Sequence, residues 1–154
     1  MADVVDADPL SPAAIKLLRL AAVEARALYP ELFNEASVWP VNTPLRDREA
    51  YVLALADGNP IGCGSLRSLD TARAEVRRMF VASHARGSGV GKTLLGELEI
   101  RAHRFGYQEI VLETGYKQDR AIRLYEAYGF KQIPPFGAYV GDPVSVCFAK
   151  RVAI

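Results

Sequence analysis

Arg86-Gly-Ser-Gly-Val-Gly-Lys92 separates a predicted strand from a predicted helix and is the most specific feature of this sequence. Its three alternate glycines allow backbone N–H groups to approach an anion closely. The start of the following helix, near Gly89, adds partial positive charge, and Arg86 and Lys92 each add a full one. The stretch therefore predicts a phosphate or pyrophosphate site, with an ordinary glycine-rich turn as the alternative.

Two common nucleotide-binding motifs do not fit this stretch. Gly91-Lys92-Thr93 matches the end of a Walker A motif, but the position that requires the first glycine holds Arg86. The dinucleotide fingerprint fails as well, because Gly87, Gly89 and Gly91 have the spacing GxGxG instead of GxGxxG. The pattern that does fit is R-x-x-G-x-G.

Strand signals precede the glycine-rich stretch and alternating elements follow it. Apolar runs bounded by turn residues predict an antiparallel meander, and helical periodicity then alternates with short apolar runs, which indicates an α/β sheet of mixed direction. The predicted strands are Tyr51–Ala56, Ile61–Leu69, Arg73–Val81, Ile110–Leu112 and Val144–Ala149. The predicted helices are Ser11–Leu28, Gly89–Arg104 and Asp119–Tyr128, and Pro30–Asp47 reads as a long loop.

Two local patterns refine this prediction. Gly62 and Gly64 weaken their strand or mark a bulge. In the second helix, Glu97 with Arg101, and Glu99 with His103, are four residues apart, which is typical of an exposed helix face.

Composition limits the classes of function. The 154 residues suit one domain (1–154), and the formal charge of +1 argues against nucleic acid and anionic membranes as partners. No apolar run reaches the roughly 18 residues of a membrane span, and the first residues are acidic, unlike a secretory signal. Cys63 and Cys147 lie far apart with no nearby histidine, which predicts buried thiols and no metal site. We therefore expect a soluble, cytoplasmic protein.

Four blocks together resemble the GNAT superfamily of acyl-CoA-dependent N-acetyltransferases. They are Ala74-Glu-Val-Arg-Arg-Met-Phe-Val81, Arg86-Gly-Ser-Gly-Val-Gly91, Ala121-Ile-Arg-Leu-Tyr125 and Tyr128-Gly-Phe130. The resemblance implies the GNAT fold: a mixed central sheet of about six to seven strands, flanked by helices, with a splayed strand pair at the cofactor site.

The resemblance also assigns the residues that would bind acetyl-CoA. The pyrophosphate would be held by Arg86, Gly87, Ser88, Gly89, Val90, Gly91 and Lys92. Main-chain groups of Met79, Phe80 and Val81 would pair with the pantetheine arm like an added strand, and the splayed edge would offer an N–H to the thioester oxygen. Gln118 stands where the family often has an asparagine that contacts the same arm.

Acetyl transfer needs a neutral amine, and an amine with a pKa of about 10.4 is neutral roughly once in 2,500 molecules at pH 7. By resemblance, Glu75 would be the general base and Tyr125 the general acid that protonates the departing thiolate. Glu75 could instead be a surface carboxylate paired with Arg73 or Arg77. Tyr125 could instead be a core tyrosine.

The acceptor stays open at this level. Trp39 and Tyr139 would flank its pocket by family analogy, and Glu31 and Glu35 mildly favour a cationic acceptor. Alternation along the strand predicts that Arg77 and Arg78 point to opposite faces. Small-molecule and peptide amines both fit, and the family allows a homodimer. Two other functions are a P-loop-like phosphotransferase that uses Gly91-Lys92-Thr93 and an acyl-CoA-binding module without turnover.

Overall fold

A computed structural model describes residues 2–154 and contains one seven-stranded sheet with three α-helices. The strands are β1 (Asp3–Asp6), β2 (Ala50–Ala56), β3 (Asn59–Ser68), β4 (Arg73–Val81), β5 (Glu109–Gly115), β6 (Lys131–Ile133) and β7 (Ser145–Arg151). The helices are α1 (Pro12–Leu28), α2 (Val90–Arg104) and α3 (Asp119–Tyr128).

The strand order is β1-β2-β3-β4-β5-β7-β6, and only the β4–β5 pair is parallel. The mixed α/β sheet expected from the sequence is confirmed, and its seven strands agree with the GNAT fold. Individual patterns predicted five strands and missed β1 and β6. Both are short edge strands, of four and three residues, and too short to give an alternating pattern.

A bulge in β4 interrupts the sheet beside the glycine-rich stretch. Ser65 of β3 pairs with Arg77, but Cys63 pairs with Phe80, so two residues of β4 lie opposite Gly64. Glycine suits position 64, because a Cβ there would lie 2.8 Å from Sδ of Met79 and 2.9 Å from Cδ1 of Leu98, so both side chains would have to shift. Arg78 takes up the extra residue with a φ of 58°.

The bulge coincides with a fork between β4 and β5. Their parallel pairing runs from Arg73↔Glu109 to Val76↔Leu112 and ends there. β5 continues to Gly115 on its β7 side, whereas residues 77–81 of β4 have no strand partner on the β5 side within the described chain. This is the splayed strand pair that the family resemblance implies.

The two faces of the sheet carry separate cores. The larger core packs α2 and α3 against one face, with Val52, Leu66, Val76, Leu98 and Leu112 at its centre. The smaller core packs α1 against β2 and β3 on the other face, through residues such as Leu17, Tyr51 and Leu53. Helix α1 packs mainly on β2–β4. On the same face, the segment before β7 reaches β4 through Tyr139.

Helix α1 begins where the sequence predicts. The Ser11 hydroxyl accepts a hydrogen bond from the amide of Ala14, and Pro12 occupies the first helical position. Beyond the helix, residues 37–44 cross the sheet face and are tied down by arginines. Arg67 donates to the carbonyls of Thr43 and Pro44, while the guanidinium of Arg26 lies 3.7 Å from the centre of the Trp39 ring.

Glu99 is the clearest error of the helix pattern. Glu97 does pair with Arg101 at 2.9 Å, but Glu99 is buried and accepts from Tyr128, Lys150 and the Ala153 amide. The four-residue spacing could not reveal that α3 and β7 pack over this side of α2.

Both cysteines are free and buried, as predicted. In the described residues, no helix combines the length and apolarity needed to cross a membrane. Nor do His, Cys, Asp or Glu side chains in residues 2–154 form a group of three that could hold a metal ion.

Candidate active site

The glycine-rich stretch forms the turn into α2. Gly87 and Gly89 have φ values of 83° and 86°, and a Cβ at either would meet nothing within 4 Å. Glycine is required there by backbone conformation and not by lack of space. In residues 2–154, no protein acceptor binds the amides of residues 87–92; Thr93 is the first amide with a partner, the Gly89 carbonyl at 3.0 Å.

Two side chains of this turn hold the turn itself. Nε of Arg86 donates to the Val81 carbonyl at 2.9 Å, and its Nη2 pairs with Glu24 of α1 at 2.7 Å. The hydroxyl of Ser88 donates to the Ala85 carbonyl at 2.7 Å. These side chains do not bind the amides of the turn, which stay without a protein partner in residues 87–92. Arg86 links β4 to α1.

Gly91 is favoured by packing and not by its backbone conformation. A Cβ at this position would lie 2.8 Å from Cδ2 of Leu124, so its absence lets α3 approach the first turn of α2. The Thr93 hydroxyl donates to the Gly89 carbonyl at 3.0 Å and continues the helix.

A cavity of about 910 Å³ opens between the turn, the free edge of β4, α1 and α3. The predicted cofactor residues that line it are Met79, Phe80, Val81, Arg86, Gly87, Gly89, Val90, Gly91, Lys92 and Gln118, together with Tyr125. Ser88 and Glu75 are outside its lining. The structure therefore brings all but two of the predicted site residues to one cavity.

The cavity also has a charged lining that the motifs did not identify. Lys117, Arg120 and Arg123 join Arg86 and Lys92, so five cations face two carboxylates, Glu24 and Asp119. The basic residues around the start of α3 were a visible signal, because that helix begins only a few residues after β5. Glu24 had no such signal, since it lies 62 residues before Arg86.

Tyr125 is buried at the inner side of the cavity. Its ring packs against Phe130 and Phe148, with ring centres 5.9 and 6.2 Å away. Within residues 2–154, its hydroxyl has no hydrogen-bond partner. Burial, and next the negative charge of Glu113, raise the pKa of this hydroxyl, which therefore remains protonated across the neutral range.

Glu75 lies on the α1 side of β4, two residues before the fork at Arg77. Its Oε2 accepts a 2.6 Å hydrogen bond from the hydroxyl of Tyr139, and in the described chain it makes no ion pair with Arg73 or Arg77. Burial, followed by this contact with Glu75, raises the pKa of Tyr139.

Glu113 is a second carboxylate at the fork, and no motif in the sequence pointed to it. It is half-buried on β5 and accepts a 2.6 Å hydrogen bond from the Ser145 hydroxyl. Burial raises its pKa, and the negative charges of Asp142 and Glu75 act in the same direction. Its position at the fork follows only from the β4–β5 register, in which Glu113 comes one residue after Leu112, the last paired residue of β5.

Arg77 and Arg78 do not point to opposite faces, contrary to the strand-alternation prediction. Arg78 donates to Oδ1 of Asn42 at 2.9 Å and lies beside Tyr51 and Cys63, on the face that α1 covers. Arg77 is on this face too, close enough that its charge lowers the pKa of Arg78, although burial is the larger cause. The bulge explains the error, since an extra residue breaks the alternation.

The residues suggested for acceptor binding are placed as follows. Tyr139 reaches the fork through Glu75, whereas Trp39 stacks on Arg26 at the outer edge of α1. Glu31 pairs with Lys117 at 3.2 Å, and Glu35 is exposed. The acidic character of the loop is thus partly neutralised within the protein.

Comparison with known proteins agrees with this geometry. The acetyltransferase (GNAT) family profile matches residues 17–130. An "IAA acetyltransferase" of Azospirillum brasilense is 34% identical over 144 residues, 92% of each chain. A candidate acyl-CoA N-acyltransferase of Klebsiella pneumoniae, known as a crystal structure, has a TM-score of 0.82 at 26% identity and covers 99% of each chain. The PaiA N-acetyltransferase of Thermoplasma acidophilum has a TM-score of 0.74 at 19% identity, over 98% and 99% of the two chains. This protein is therefore an acyltransferase enzyme that belongs to the acetyltransferase (GNAT) family.

Proposed function

We propose that this enzyme transfers an acetyl group from acetyl-CoA directly to a primary amine. The observation that carries the proposal is the row of unpaired amides in residues 87–92, at the mouth of a cavity lined by five cationic side chains. Such a row at a helix start suits a diphosphate. The related PaiA structure was determined in complex with coenzyme A, which supports the same class of donor here.

The pantetheine arm would run along the free edge of β4. Residues 79–81 line the cavity beyond the point where β5 separates from β4, so their outward main-chain groups, apart from the Val81 carbonyl that Arg86 binds, can pair with an extended ligand. The fork would then hold the thioester next to Tyr125. A backbone N–H at this edge would stabilise the oxyanion that forms when the amine attacks.

Tyr125 is the proposed general acid. Its hydroxyl belongs to the cavity lining, has no protein partner among residues 2–154, and stays protonated because burial raises its pKa. It therefore carries a proton that it can donate as a hydrogen bond to the sulfur while charge develops there; as the C–S bond breaks, the thiolate takes that proton and the tyrosine recovers one from the proton that the attacking amine loses.

Glu75 is the proposed general base, with Glu113 as the second candidate. Both lie on the same face of the sheet, one on each strand of the fork, and burial raises the pKa of Glu113, which suits a group that takes up a proton from an amine. Comparison of Glu75→Gln with Glu113→Gln separates them. Loss of the base should lower kcat/KM about 100-fold or more near pH 7, and activity should recover as the pH approaches the pKa of the amine.

Direct transfer is favoured over a thiol-linked intermediate. Neither cysteine lines the cavity, and burial raises the pKa of Cys63 to about 11, so its thiolate is scarce at neutral pH. Initial-rate kinetics should therefore give intersecting lines and not the parallel lines of a covalent relay.

Ligand stabilisation tests the proposal against its two alternatives. Acetyl-CoA should raise the melting temperature and Mg-ATP should not, whereas a phosphotransferase would show the reverse. Thiol release from acetyl-CoA with a panel of amines then distinguishes an enzyme from a binding module. Stabilisation without thiol release for any amine would contradict the proposed catalytic function.

A further inference from the structure

The side chains at the fork carry charge of both signs. If the parallel pairing of β4 and β5 continued by one step, Arg77 would pair with Glu113, since Val76 pairs with Leu112. The two strands separate there, so these residues lie on opposite strands of the opening, close enough that the charge of Arg77 partly offsets the raised pKa of Glu113. Glu75 is two residues before Arg77 and shares its face of the sheet. Two carboxylates and a guanidinium therefore lie together at the fork, next to the cavity lining and not part of it.

Arg77 differs from the arginines that flank it. Arg67 donates to the carbonyls of Thr43 and Pro44 and to the carboxylate of Glu49. Arg78 donates to the side chain of Asn42 and to the Val41 carbonyl. The Arg77 side chain is exposed and has no hydrogen bond or ion pair with residues 2–154. Its neighbours hold the 37–44 segment, whereas the five donors of Arg77 are open to solvent or to a ligand.

This arrangement is poorly suited to an acceptor that carries positive charge alone. An alkylammonium group would be attracted by Glu75 and Glu113 but repelled by Arg77 and Arg78. An acceptor with a carboxylate next to its amine meets a complementary group at both ends. The guanidinium can bind that carboxylate with two parallel hydrogen bonds, while the amine lies toward the carboxylates of the fork.

We propose that the acceptor belongs to the class of free amino acids, with its carboxylate bound by Arg77 and its amine directed into the fork between Glu75 and Glu113. The inference rests on the proposed function, because it names the acceptor of that same site. Arg77 acts here as a specificity-determining residue, and the chemistry of transfer is left to the groups described above.

Matched acceptors provide the test. Thiol release from acetyl-CoA is measured with the twenty amino acids, and with phenethylamine, isopentylamine and 3-(methylthio)propylamine as the carboxylate-free partners of phenylalanine, leucine and methionine. Spermidine represents the polycationic class. We expect the best-used of these three amino acids to exceed its own partner amine at least tenfold in kcat/KM, as loss of a charged hydrogen-bond pair predicts.

Variants then assign that preference to one residue. Arg77→Gln should lower kcat/KM for the amino acid about tenfold or more, and it should raise that for the partner amine, because a cation that repels the alkylammonium is removed. Arg77→Lys should restore part of the preference, because it keeps the charge but not the paired donors. Arg151→Gln, on the exposed end of β7, is the matched control and should keep the wild-type preference.

The failures of the two proposals are distinguishable. Equal or better use of the carboxylate-free amines or spermidine overturns the amino-acid assignment and leaves acetyl transfer to amines standing. An amino-acid preference that survives Arg77→Gln overturns the role of Arg77. Absence of thiol release with every acceptor overturns the proposed function and this inference together.

Discussion

Nη2 of Arg86 lies 2.7 Å from Oε1 of Glu24, so an ion pair joins the glycine-rich turn to α1 across the edge of the cavity. The carboxylate is about half exposed, with 47% of its side-chain surface accessible, whereas Arg86 is anchored to the Val81 carbonyl. Glu24 thus adds negative charge to a cavity that we propose binds a diphosphate.

Glu24→Gln should tighten acetyl-CoA binding. Removal of one exposed carboxylate is worth up to about 1 kcal/mol, which corresponds to a roughly two- to fivefold lower Kd. Calorimetric titration at low and high salt checks this, because screening should remove the gain. Asp70→Asn, which breaks the remote exposed pair with Arg73, is the control. Weaker binding by Glu24→Gln would instead mean that the pair positions the turn.

Gly89→Ala should abolish tight acetyl-CoA binding at a modest cost in stability. With φ at 86° and open space around the site, the cost is backbone strain of about 1–2 kcal/mol. Gly58→Ala is a matched control, since Gly58 has a φ of 78°, has equally open surroundings and lies in the turn between β2 and β3. Both variants should lose similar stability in urea unfolding, but only Gly89→Ala should raise the Kd, by at least about tenfold. An unchanged Kd would remove the turn from cofactor binding.

The residues that were predicted to hold the cofactor could be brought to one cavity from sequence because their signals are local. Gly87 and Gly89 are glycines whose type alone indicates a left-handed backbone, as their φ angles then show, and the turn, the free edge of β4 and the start of α3 each carry one short motif. The position of the backbone amides in such a turn follows from the turn itself, because the chain runs without interruption from a strand into a helix.

The residues at the fork and the Glu24 contact could not be predicted because their geometry depends on pairing and packing between separate segments. The β4 bulge turns Arg78 to the face of Arg77, and the end of the β4–β5 register is what sets Glu113 at the fork. Glu24 reaches Arg86 only through the packing of α1. No spacing within one segment contains these relationships.

Tyr125→Phe should separate chemistry from binding. Without the hydroxyl, kcat should fall at least about tenfold while the Kd for acetyl-CoA changes little. Stability should hardly change, because the hydroxyl has no partner among residues 2–154 and the ring contacts are kept. Tyr128→Phe is the converse control: its hydroxyl donates to buried Glu99 at 2.8 Å, so this variant should lose stability and retain kcat. Unchanged turnover in Tyr125→Phe would exclude the hydroxyl from the mechanism.

Glu113→Gln should have a higher free energy of unfolding than the wild type near neutral pH. This difference should become smaller as the pH falls. Burial, with Asp142 and Glu75, raises the pKa of Glu113 above that of the unfolded chain, so proton binding favours the folded state. This contribution is fully present below the unfolded pKa, about 4.3, and is lost as the pH rises through the folded pKa. Gln resembles the protonated form and can still accept from Ser145.

The measurement is urea unfolding of wild type and Glu113→Gln from pH 4 to pH 8, with Glu109→Gln at the other end of β5 as control. The free energy of unfolding of Glu113→Gln should exceed that of the wild type at pH 8, and the two should converge toward pH 4. A difference that does not depend on pH would show that the carboxylate is not strained by its surroundings. If the converging difference is found, the carboxylate at the fork costs stability, which is characteristic of residues kept for function.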